Sequence, residues 1–172
     1  MKTHHHHNQT HDDAENTPLE YLKFSLIIAF IAGFSLMLAI ADFSWLEYLR
    51  LFMGVFFVVF AGFKFVDIKM FAIAYSGYDL VAKRFKVYGY LYPFLELGLG
   101  ILYLADLIPF TRDILTVGLM TVGSAGVLKE LTNGSKIRCA CLGKYIKLPL
   151  TTVSLVEDVG MGAMALVMLI SR

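Results

Sequence analysis

Two cysteines one residue apart, Cys139 and Cys141, stand in the run Cys139-Ala140-Cys141-Leu142-Gly143, shortly after the turn signal Asn133-Gly134-Ser135. Two thiols at this spacing can close a small strained disulfide, whose strain raises its reduction potential and makes it prone to exchange. They can instead clamp a soft ion such as Cu(I), or supply half of a zinc site. Lys136, Arg138 and Lys144 flank the pair and favour the thiolate, the reactive form in either chemistry. A reading without chemistry also stands, in which two small apolar residues dock a loop. Two cysteines in 172 residues do not make the disulfide framework of a secreted mini-domain.

Ionisable residues inside long apolar stretches form the second constellation: Lys64 and Asp67, Glu96, and the adjacent pair Glu157 and Asp158. A charge near the middle of a membrane-spanning helix costs roughly 2.5 to 3.5 kcal/mol on insertion scales, so each needs a partner, water or a function. Lys64 and Asp67, three apart, share a helical face. With Glu96 they are read as a structural polar core, either an ion-pair network that fixes helix register or a polar cavity handling protons or a cation. Glu157 and Asp158 point about 100° apart on a helix and cannot easily share one partner. They join Cys139 and Cys141 as the candidate catalytic set, supplying protons to the thiols. His4, His5, His6 and His7, followed by His11, Asp12 and Asp13, are a purification remnant or a natural metal-attracting tract. In the metal reading these histidines and the two thiols are the ligands, and copper or zinc is the ion.

The elements that position these groups follow from composition. Hydrophobic residues make up 58% of the chain against 17% charged, and the mean hydropathy is +0.66, too apolar for a water-soluble surface of this size. A net charge of +1, with no basic stripe, excludes a nucleic-acid partner. Phe24 to Ala41 carries no charge and lies between Lys23 and Asp42, about the length that crosses the hydrocarbon. It lacks a small-residue cleavage site and reads as a retained anchor. Further spans are predicted at 47–68, 87–107, 112–131 and 151–170, each about 30 Å long as a helix. The expected fold is an all-α transmembrane bundle at 24–172 behind a disordered His-rich tail at 1–23.

Lys69, Lys83, Arg84 and Lys86 lie in the loop after the second span, and Lys136, Arg138, Lys144 and Lys147 in the loop after the fourth; the other side has Arg50, Arg112 and Arg172. The bias predicts a cytoplasmic N-terminus with both basic loops on the cytoplasmic side. Phe71, Ala74, Tyr78, Val81 and Phe85 predict an interfacial helix with Asp79 on its polar side. Tyr75, Tyr78, Tyr88, Tyr90 and Tyr92 are expected in the aromatic belt. Gly54, Gly62, Gly98, Gly100, Gly118, Gly123, Gly126, Gly160 and Gly162 predict close helix packing.

The order Ala61-Gly62-Phe63-Lys64-Phe65-Val66-Asp67, then Pro93-Phe94-Leu95-Glu96-Leu97-Gly98-Leu99-Gly100, then the cysteine run, resembles the MauE/DoxX family of bacterial membrane proteins over Leu49 to Ile170. The resemblance implies a core of four transmembrane helices, here with one further span. It implies a role in forming or maintaining the disulfides of methylamine dehydrogenase, alongside a thioredoxin-like or other redox partner. Cys139 and Cys141 would be the exchanging pair, and Lys64 and Glu96 the family's polar core positions. Leu142 stands where the family leads one to expect an aromatic residue. Similar segments also follow heavy-metal-associated domains, which keeps a metal-handling partner and a metal transport or resistance role as the alternative.

Overall fold

In a bilayer every backbone N–H and C=O must be satisfied within the chain, so long apolar segments become helices. The computed structural model describes residues 17–132 and 150–171, and among these there are helices and turns but no strand. The helices are α1 (Thr17–Ala39, continued by a 3-10 turn Ile40–Asp42), α2 (Trp45–Val66), α3 (Ile68–Tyr75), α4 (Lys86–Leu104), α5 (Pro109–Thr132) and α6 (Leu150–Ile170). Four of them, α1, α2, α4 and α5, are long and apolar enough to cross a membrane. The predicted span 151–170 is helix α6, which runs along α5. The protein is a multi-pass all-α membrane bundle.

Local sequence sets the boundaries. Ser44 accepts from the Glu47 amide at 3.1 Å and caps α2. Pro109 opens α5, where its missing N–H costs nothing. Asp67 breaks the helix after Val66 and caps the next one, accepting from the Met70 amide at 3.1 Å. Its predicted place beside Lys64 in the polar core is therefore corrected: the carboxylate is spent on a helix start.

Two antiparallel pairs, α2 with α4 and α5 with α6, carry most of the packing, and α1 lies along α2. A Cβ added at Gly100 would sit 3.1 Å from the Gly54 carbonyl, so these two glycines let the α2 and α4 backbones meet. Gly126 does the same for α5, where a Cβ would lie 2.9 Å from the Tyr78 carbonyl and 3.1 Å from Asp79 Cα. Gly62, Gly98, Gly118 and Gly160 face open space, so the expectation that all these glycines serve packing holds only for some.

The predicted interfacial helix is shorter than its periodicity suggested. It ends at Tyr75, and turns carry the chain to Phe85. Asp79 is the reason: fully buried, it accepts from the Val81 and Ala82 amides at 2.9 and 2.7 Å and from the Tyr75 hydroxyl at 3.1 Å. The aromatic belt is also corrected. Tyr75, Tyr78 and Tyr92 are buried inside the bundle, while Tyr90 is exposed. Their rings pack on one another, Tyr75 to Tyr92 at 4.5 Å and Tyr75 to Tyr78 at 5.3 Å between centroids, and this packing draws them inward.

Candidate functional site

The two helix pairs do not close fully on each other, and a cavity of about 30 Å³ remains between them. A single water needs about 10 to 15 Å³ by the same measure. Helix α2 lends Phe56, Phe57, Phe60 and Lys64; α4 lends Tyr92 and Glu96. Phe71, Tyr75 and Tyr78 close it from α3 and the turn after it, and Met120 and Val127 face it from α5. Glu157, Asp158 and Met161 complete it from α6. Of the residues singled out from the sequence, Lys64, Glu96, Glu157 and Asp158 thus share one cavity.

Lys64 is buried and donates to both carboxylate oxygens of Glu96, itself buried. The ammonium also lies 5.0 Å from the Tyr92 ring centroid and 5.5 Å from that of Phe71, within cation–π range. A primary ammonium is therefore held by one carboxylate and two aromatic faces. Asp158 owes its position to Gly123, since a Cβ there would stand 2.7 Å from its Oδ2. Adjacent acids on a helix point apart, yet both Glu157 and Asp158 border the cavity.

Tyr75, on α3, has its phenol pushed well above the ordinary value of 10.0, first by burial and then by the Asp79 carboxylate it donates to. Near the same end, Lys83 pairs with Glu130 of α5 and ties the turn after α3 to the α5/α6 pair. Sequence reading left Asp79 on a polar face and Tyr92 in the belt. The signal for Tyr92 was present, because Tyr88, Tyr92 and Glu96 recur every four residues and share a face.

A second cluster closes the opposite end. Arg112, fully buried, donates to Asp106 Oδ1 at 2.7 Å and to Asp113 Oδ1 at 3.3 Å, with Tyr103 under its guanidinium at 4.7 Å. Arg50 pairs with Glu47 and donates to the Leu104 carbonyl at 3.2 Å. Counting Arg50 and Arg112 as loop charges overlooked that both are packed against helix ends. Asp106 and Ile108, between α4 and α5, have φ of 50° and 36°, a conformation that a β-branched residue rarely adopts.

Cys139, Cys141 and His4 to His7 lie outside the described residues. Among the described residues, no group of three or more His, Cys, Asp or Glu side chains could hold a metal ion. Cys139 and Cys141 fall in the stretch 133–149, which lies between α5 and α6 in the sequence.

A family model described as "Methylamine utilisation protein MauE" matches residues 43–171, most of the chain and all of α2 to α6. Neither the curated proteins nor the solved structures gave a match.

Proposed function

The chain belongs to the MauE family of methylamine utilisation proteins, and on that premise we propose that it is a thiol-disulfide component acting with a separate redox partner of thioredoxin-like chemistry. A thiolate of the partner attacks the Cys139–Cys141 disulfide and forms a mixed disulfide. The partner's second thiol then displaces it, so that the partner leaves oxidised and the pair is left as two thiols. Glu157 and Asp158 take up and return the protons of this exchange. The observation that carries the reading is positional: both acids border a cavity about 10 to 12 Å along α6 from its start at Leu150, and the cysteine segment leads into that start in the sequence. The bias of Lys and Arg towards the loops at 69–86 and 136–147 supports a cytoplasmic side for the thiols, in the inner membrane of a bacterium.

Alkylation of thiols in native membranes tests the reading. Labelling at Cys139 and Cys141 that rises on reduction, and falls again when an oxidised thioredoxin-like protein is added, is the expected result. Labelling indifferent to reductant overturns it, as does full rescue of a deletion strain by the Cys139→Ser/Cys141→Ser double variant. Membrane-impermeant labelling from one side fixes the orientation.

A further inference from the structure

The cavity has a use that the thiols do not require. Among the described residues Lys64 is the only cation lining it, and Glu96 engages that ammonium directly, while Glu157 and Asp158 border the same space. The described lining therefore holds more acid than base at a depth where charge is costly. Around these groups stand the rings of Tyr75, Tyr78, Tyr92 and several phenylalanines, whose faces attract cations. How such a wall treats a primary ammonium is visible within the chain, in the seat of the Lys64 ammonium on Glu96, Tyr92 and Phe71.

We propose that this cavity binds a small primary alkylammonium ion, methylammonium being the smallest of the class, between the carboxylates of Glu157 and Asp158 and the faces of the surrounding tyrosines. Size supports the assignment. About 30 Å³ is room for two or three water-sized groups at about 10 to 15 Å³ each, and methylammonium is one methyl beside one ammonium. Lining chemistry supports it as well. Among the described residues the carboxylates do not converge with a third ligating side chain as a metal ion requires. Apolar and aromatic surface opposite the acids, including Met120 and Met161, suits a cation that carries a methyl group. The site shares Glu157 and Asp158 with the thiol-disulfide reading but uses neither cysteine, so methylammonium binding and reductant-dependent thiol labelling are separate readouts and the failure of one is distinguishable from the failure of the other.

Equilibrium dialysis of the full-length protein in lipid nanodiscs against radiolabelled methylammonium at neutral pH tests it. Saturable binding is expected, weakened about thirtyfold or more in Asp158→Asn, retained in Asp67→Asn, whose amide still caps α3, and little disturbed by equimolar tetramethylammonium, which is too bulky. Absence of saturable binding to the unmodified protein overturns the proposal. So does equal competition by tetramethylammonium, a measurement that needs no variant, or equal weakening by the two substitutions.

Discussion

Replacing Lys64 with Met removes the cation from a buried pair and leaves the Glu96 carboxylate inside the bundle against Tyr92 and Phe71. Breaking a buried ion pair from one side costs about 3 to 5 kcal/mol, because an uncompensated charge is left in a poorly solvating place. Loss of two cation–π contacts adds about 0.5 to 2 kcal/mol. Glu96→Gln, which strands the ammonium, falls in the same range, eased by the two ring faces that remain. The double variant Lys64→Met/Glu96→Gln carries no buried charge at this position and should lose only about 2 kcal/mol. The coupling energy of the cycle is then at least about 4 kcal/mol, well above the roughly 0.6 kcal/mol average for membrane hydrogen bonds. Steric-trap unfolding in bicelles measures all four corners. If the two single effects add to the double within about 0.5 kcal/mol, the pair is not coupled and the account of the polar core fails.

Gly126→Ala should lower stability by about 1 to 3 kcal/mol, because its Cβ meets the backbone of Tyr78 and Asp79, whereas Gly118→Ala, with nothing within 4 Å, should be neutral or slightly stabilising; thermal unfolding in detergent compares them. Ile108→Gly should raise stability by about 1 kcal/mol by relieving the positive φ, and an unchanged or lower midpoint would remove the strain from the account. The raised phenol of Tyr75 favours the protonated folded state, so its contribution is complete below pH 10.0 and fades as pH climbs above that value. Tyr75→Phe should accordingly lose less stability than the parent between neutral and strongly alkaline pH, in the same unfolding measurement.

Helix existence was legible because apolar length leaves a chain in lipid no alternative. The pairing of Lys64 with Glu96 was half legible: the cost of a lone intramembrane charge said that each needed a partner, and the family resemblance singled out the same two positions. Asp67 was misplaced because the i, i+3 spacing assumes an unbroken helix, and the break falls at that residue. Tyr75, Tyr78 and Tyr92 were misplaced for a related reason. Tyrosine suits the headgroup level by composition, but here α3 turns back over the bundle and buries the rings against each other. Nothing local announces Asp79 as buried, since its partners are two amides and a hydroxyl created by the turn itself.

The glycine seam between α2 and α4 and the long contact between α5 and α6 make each pair internally stiff, while direct contact from one pair to the other is sparse. Mechanical compliance is thereby concentrated in the joint, and the joint is where the empty volume lies. Hydrostatic pressure acts first on empty volume, so compression should draw the halves together and leave each half's own geometry nearly unchanged.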